Sequence, residues 1–238
     1  MGRLGRGVWR WAVLVAFAAS GLQASAVPPA TAQGTLIVTV GTIKPGGVIP
    51  PQYAYCVSAQ QGHVGSGPDR SPAISWAKGP AGTASYAIIT VDPDVPTVFD
   101  DADKEGRTIP ASLKRRDYYH WVLVDIPTSV TAIPEGADTT DPSPKKPGRT
   151  PYGIRGINDY SGNGKIFGGY DGPCPPWNDE IPHHYHFGVY ALDIARLAVS
   201  GNFTGPDALK AMQGHVLAKG ELVGVYSLNP NVAKTLGK

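Results

Sequence analysis

The sequence predicts a mostly antiparallel β fold with peripheral helices. Three observations predict it. Gly and Pro are abundant, 30 and 23 of 238 residues, a composition of many turns and short strands rather than long helices. Several runs are rich in β-branched and aromatic residues and stop at prolines. One stretch near the C-terminus changes to helical spacing.

In chain order, Thr35–Val40 (TLIVTV) is β-branched and predicts a strand. Gly41–Pro51 reads as a turn region and Gln52–Ser58 as a second strand. The loop GSGPDRSP leads into a short strand near Ile74–Trp76. Ser85–Val91 predicts a buried strand stopped by Asp92 and Pro93. Tyr118–Pro127 and His183–Ile194 predict two more, with a short helix near Asp193–Leu197. Pro206 suits a first helical turn, and Ala208, Leu209, Met212, His215 and Val216 recur at helical spacing, with Gly220 as the expected stop. ELVGVYSL then returns to strand. The Pro- and charge-rich run Thr139–Pro151 reads as an exposed loop within one domain, residues 33–238.

The N-terminus carries Arg3, Arg6 and Arg10, then an apolar run from Trp11 to Ala19, then Ala-x-Ala patterns at Ala24–Ala26 and Ala30–Ala32. That is the layout of a secretory signal peptide over residues 1–26, with cleavage as late as 32 as the alternative. The apolar run is short for a bilayer span. The expected localisation is therefore secreted, periplasmic or otherwise extracytoplasmic. The whole chain has 21 Lys and Arg against 19 Asp and Glu. Three of those arginines and no acid precede Ala26, so the mature chain has 18 against 19, about −1. No nucleic-acid or membrane-surface patch is implied.

Three of the best strands carry reactive side chains beside an end. One ends in DPDVP, one opens with YYHW, and one follows GPCPPWNDEIP and opens with HHYHF. Prolines stiffen these positions. If the ends converge, they build a rigid, polar, partly apolar-walled pocket.

These motifs, with SPAISW, GTASYAIITVDPD and the final GHVLAKGELVGVY in the same order, resemble the phosphatidylethanolamine-binding protein family, nearest its bacterial and archaeal Raf-kinase-inhibitor-like branch. The resemblance spans nearly the whole mature chain. It implies a large antiparallel sheet packed on a smaller one, and a pocket for small anions or phosphorylated head groups. Carried over residue by residue, it assigns to the pocket Asp92, with Asp94 and Pro96 shaping the turn. It adds His120, the wall Gly172, Pro173, Pro175 and Pro176, and then His183 and Tyr185. The sequence differs from the animal members by Cys174 within the Gly-Pro-Pro run, which the prokaryotic branch often shows, and it has a long insertion, Thr97–Asp117, which bears on pocket access.

Strand alternation puts His183 and Tyr185 on one face and His184 and His186 on the other. It likewise turns Trp121 away from His120, into the core. A carboxylate in an anion site makes sense if Asp92 holds a histidine charged or fixes its tautomer. Zinc is disfavoured because the histidines alternate faces and neither His-Glu-x-x-His nor Cys-x-x-Cys occurs. No cofactor is implied. A hydrolase using the Asp/His/Tyr pocket is an alternative, but there is no Gly-x-Ser-x-Gly elbow, and Cys174 is a nucleophile only if free. A protein-interaction role of protease-inhibitor type is the other. Cys56 and Cys174 are the only cysteines. In an exported chain they are expected to pair, bracing the pocket wall.

Overall fold

The computed structural model describes residues 1–2, 34–139 and 146–236. The predicted signal peptide, beyond its first two residues, lies outside them, as do residues 140–145 of the Pro-rich loop. The strands are β1 (Gly34–Thr35), β2 (Val38–Val40), β3 (Cys56–Ser58), β4 (Val64–Ser66), β5 (Ile74–Trp76), β6 (Ser85–Pro96), β7 (Arg115–Pro127), β8 (Ala132–Ile133), β9 (Gly148–Arg149), β10 (Ile154–Arg155), β11 (His183–Leu192) and β12 (Val216–Tyr226). Helix α1 (Gly205–Ala211) lies between β11 and β12, and the single-turn α2 (Pro230–Ala233) follows β12.

The large sheet runs β1-β12-β11-β6-β7-β10-β9, and β2-β5-β8 form a small one. Pairing in the large sheet is antiparallel except between β1 and β12. Both of its faces are covered, which explains the near-continuous apolar run in β6. Ile88, Leu123, Phe187 and Val189 face a core shared with Ile74 and Ile133 of the small sheet. Ala87, Ile89, Val122, Val124 and Leu192 face the opposite side, under Phe203, Ala208 and Met212 around α1. The side-chain period of two sorts alternate residues to the two cores.

Several predicted elements shift. The run Thr35–Val40 divides between two sheets, because buried Leu36 crosses from β1 to β2. Gln52–Ser58 becomes a 3-10 turn, Pro51–Tyr53, followed by the short β3. Asp193–Leu197 is a bend, not a helix. Helix α1 starts as expected: Thr204 caps Asp207 and Asp207 returns the bond, a capping box, with Pro206 in the first turn. It ends by Met212, however, and Gly214 turns the chain at φ +81°. Of the periodic residues beyond it, His215 lies in the turn and Val216 opens β12. Gly220 is therefore mid-strand and does not stop a helix. Its glycine is needed because a Cβ there would lie 2.1 Å from the Leu36 carbonyl oxygen, where the chain leaves β1.

The insertion after β6 is tied down in large part by Asn178. The Asn178 amide donates to the carbonyls of Asp101, at 2.9 Å, and Arg107, at 3.1 Å, while its oxygen accepts from Asp103 N–H at 3.0 Å. Ile109 is buried and bridges to Asp179. The insertion thus becomes a fixed wall beside the strand ends.

Gly220→Ala should lower stability by about 1–3 kcal/mol, the usual cost of overpacking, read by urea denaturation. An unchanged midpoint would show that Leu36 does not press on β12.

Candidate functional site

The ends of β6, β7 and β11 converge on a cavity of about 160 Å³. Asp92 comes from β6, His120 from β7, and His183 and Tyr185 from β11; all four are at most 2% exposed. The alternation in β11 holds. His184 turns outward, where its Nδ1 lies 2.7 Å from Asp94 Oδ2, and His186 lies 3.7 Å from Glu221.

β7 departs from alternation. Thr90 pairs with Trp121 and Val91 with Tyr119, so His120 is an extra residue, a bulge. The bulge lets His120 and Trp121 point to the same side of the sheet. His120 packs on Tyr185, with ring centres 5.1 Å apart, while Trp121 donates to Asp138 at 2.6 Å in the core below. The expectation that they face opposite ways is overturned for that reason. Bulges characteristically re-aim side chains beside functional sites.

His183 is held between two carboxylates, with Nδ1 2.7 Å from Asp92 and Nε2 3.3 Å from Asp179. Arg115 grips Asp179 through both of its terminal nitrogens, at 2.5 and 3.0 Å. Burial opposes charge on His183, but hydrogen bonds to Asp179 and Asp92 override it and push the pKa up to about 9. Both ring nitrogens then carry protons and donate. Burial likewise opposes charge on Asp179, yet bonds from His183 and Arg115 leave its pKa below the usual carboxylate value. Two cations therefore balance two carboxylates along this chain. Asp92 also accepts from Asp94 N–H at 2.8 Å.

His120 is the opposite case. Its Nδ1 lies 2.7 Å from the Asp171 carbonyl, which can only accept, so Nδ1 carries the proton. Burial pushes its pKa down, against the pull of Asp92 and Asp171. The neutral ring is left with a bare Nε2, buried and without a hydrogen-bond partner. Such an orphaned acceptor carries a desolvation cost, which makes it informative.

The wall opposite is fixed from several directions. Cys56 and Cys174 form a disulfide, Cys56 N–H donates to the Pro173 carbonyl at 3.0 Å, and Gly172 N–H donates to Asp69 at 2.7 Å. Gly172 must be glycine, since a Cβ would lie 2.0 Å from the Tyr53 carbonyl oxygen. Tyr160 donates to the Gly172 carbonyl at 2.8 Å and stacks edge-on to both Tyr118 and His120.

Comparison with known proteins agrees with this architecture. The family profile described as phosphatidylethanolamine-binding protein matches residues 39–227. The chain belongs to the phosphatidylethanolamine-binding protein family. Within it, the UPF0098 protein YbcL of Escherichia coli is 31% identical over 163 residues, covering 68% of this chain and 74% of that one. A UPF0098 protein of Methanothermobacter thermautotrophicus is 34% identical over 161 residues, covering 67% and 84%. The crystal structure of YbcL, described as a new member of the mammalian family, superposes with a TM-score of 0.60 at 29% identity, over 82% of this chain and 99% of that one. A Chlamydia trachomatis homologue gives 0.56 at 27%, with the same coverage.

Of the residues assigned to the pocket from the family motifs, Asp92, His120, Pro175, Pro176, His183 and Tyr185 line the cavity, as does Cys174. Four do not. Asp94 bonds the outward His184, because the β6–β7 register slips between Asp92 and Val95. Pro96 closes β6 opposite Arg115. Gly172 and Pro173 lie behind the wall, bonded as described. Sequence reasoning missed Tyr118, Tyr160, Phe99 and Asp103 on the lining, and Asp179 and Arg115 behind it. Asp179 was within reach, four residues before His183 in the stretch that drew attention to the histidines.

The charged His183 stabilises the fold fully below its usual pKa of 6.5, and that contribution is lost as pH rises through about 9. His120, with its pKa lowered, works the other way: its neutral burial favours the fold above 6.5 and loses effect below. His183→Gln should cost about 3–5 kcal/mol at pH 6.5, as expected for breaking a buried ion pair. It should also flatten the fall in stability between pH 6.5 and 9 seen in urea titrations of the parent. The same alkaline fall in the variant would contradict the assignment.

Proposed function

We propose that this protein binds a small anion or phosphorylated head group in the cavity beneath His120. One observation carries the reading: a buried histidine nitrogen without a partner, on a residue that lines the cavity; membership of a family described as phosphatidylethanolamine-binding supports it. The cavity, about 160 Å³, is smaller than typical drug-sized sites. It takes a head group and leaves a longer tail outside. The neutral Arg115–Asp179–His183–Asp92 chain supports the reading too. It removes the repulsion that a bare Asp92 would exert on an anion. Arg116 sets its guanidinium over the ring of Tyr118, 5.4 Å from its centre, and adds positive potential.

Binding rather than catalysis is favoured by the state of Cys174: in a disulfide it offers no thiolate to act as a nucleophile. We further propose that the protein works outside the cytoplasm. The basic, then apolar, then small-residue N-terminus supports this, and the disulfide suits an oxidising compartment. No described helix is long and apolar enough to cross a membrane.

Calorimetry with phosphoethanolamine should show saturable binding, weakened at least about tenfold by His120→Ala, which corresponds to losing roughly 1.4 kcal/mol. His215→Ala, on the surface beside Asp193, should leave it unchanged. Equal affinity in the parent and His120→Ala would contradict the site.

A further inference from the structure

The wall from Gly172 to Trp177 has few means of holding itself. Pro173, Pro175 and Pro176 have no N–H to donate, and the segment joins none of the sheets. Its ends are bonded: Gly172 N–H donates to Asp69 at 2.7 Å, and Trp177 N–H to Asp103 at 3.0 Å. Between them the Pro173 carbonyl accepts from Cys56 N–H at 3.0 Å, and the Pro176 carbonyl from Asp179 N–H at 3.2 Å. Among the described residues, the backbone of Cys174 and Pro175 makes no hydrogen bond. The middle of the wall is tied to the rest of the molecule by the Cys56–Cys174 disulfide.

The two sulfur-bearing residues are not equivalent. Cys56 is 7% exposed and belongs to the core, where its carbonyl accepts from the Tyr226 hydroxyl at 2.9 Å. Cys174 is partly exposed and lines the cavity of about 160 Å³. In thiol–disulfide exchange a thiolate attacks one of the two sulfurs, and access helps decide which.

We propose that Cys174 is a site of thiol–disulfide exchange with small aliphatic thiols, reached through the cavity, and that this exchange sets whether the cavity is open. The thiolate attacks Cys174 Sγ. A new S–S bond forms to that sulfur and the Cys174–Cys56 bond breaks. The electron pair leaves on Cys56 Sγ, which takes up the proton that the thiol gave up. No net oxidation occurs in this step. A second thiolate, attacking the thiol's own sulfur in the adduct, releases the Cys174 thiolate and a small-molecule disulfide. Two thiols are then oxidised and the protein disulfide is reduced by two electrons. In the adduct the thiol's group stands in the cavity, the Cys56 thiol stays in the core, and the wall has lost its covalent tie. Neither step depends on which ligand the cavity takes.

The test treats the folded full chain with 2-mercaptoethanol or glutathione at about pH 8. Samples are quenched in acid, alkylated with N-ethylmaleimide in urea and mapped by mass spectrometry. The mixed disulfide should lie on Cys174, with Cys56 alkylated, in at least about tenfold excess over the reverse. The cavity is smaller than sites for drug-sized molecules, so at equal thiolate concentration 2-mercaptoethanol should react at least about tenfold faster than the tripeptide. After reduction by dithiothreitol, amide hydrogen exchange at Cys56 and Trp177 should rise at least about tenfold, while β11 and β12 keep their protection. Adduct on Cys56, glutathione reacting as fast, reaction only in unfolding concentrations of urea, or unchanged amide exchange after reduction each overturns the proposal. Two variants, checked for folding by circular dichroism, test access without the exchange step. The freed Cys174 in Cys56→Ser should react with iodoacetamide at least about tenfold faster than the freed Cys56 in Cys174→Ser. Equal rates overturn the proposal too. If either variant fails to fold, adduct mapping and amide exchange on the parent decide.

Discussion

The structure around the cavity depends on one buried chain of charge, Arg115–Asp179–His183–Asp92. Each link is needed by the next. Asp179 is fully buried, and a lone carboxylate there would be costly; Arg115 and His183 make it tolerable. His183 is buried as a cation, and the two carboxylates make that tolerable in turn. Arg115 also donates to the carbonyls of Asp94 and Pro110, so the same group ties the end of β6 to the insertion. Three sequence-distant pieces are thereby fixed in register: the acidic turn, the insertion and the start of β11.

That arrangement divides the two cavity histidines into different chemical species. His183 is saturated with acceptors and charged. His120, on a bulge of β7 at the same cavity, donates once to a backbone carbonyl and is left neutral with a free lone pair. A histidine's role follows from what its second nitrogen meets. Here His183 is tied to Asp92 and Asp179, while His120 keeps one ring nitrogen without a partner. The disulfide and Gly172 hold the facing wall, so the cavity is preformed.

Much of this was legible in the sequence, and for a physical reason in each case. The pairing of His183 with Tyr185, and the exclusion of His184 and His186, follow from a period of two that β11 keeps. The motif order carried the family and the large sheet. The Cys56–Cys174 disulfide followed from an expected export signal, a count of two cysteines and the family resemblance of the loops that carry them. What was not legible rests on long-range contact. The bulge at His120 is a property of β6–β7 register, which local pattern does not encode, so Trp121, rightly expected in the core, was placed on the opposite side of the sheet from His120. Gly220 looked like a helix stop because its true constraint is the backbone of Leu36, nearly the whole chain away. Asp179 and Arg115 looked like ordinary loop charges because each is meaningful only beside the other. Asp94 was drawn into the site by its motif, yet a register slip turns it to the outer face.

The most direct measurement is the ¹⁵N NMR titration of the histidine side chains in the ligand-free protein. His183 should remain a doubly protonated imidazolium through neutral pH and titrate near pH 9. His120 should remain neutral across the same range, with its proton on Nδ1. A neutral His183 at pH 7, or a His120 carrying its proton on Nε2, would contradict the division of roles on which the site is built.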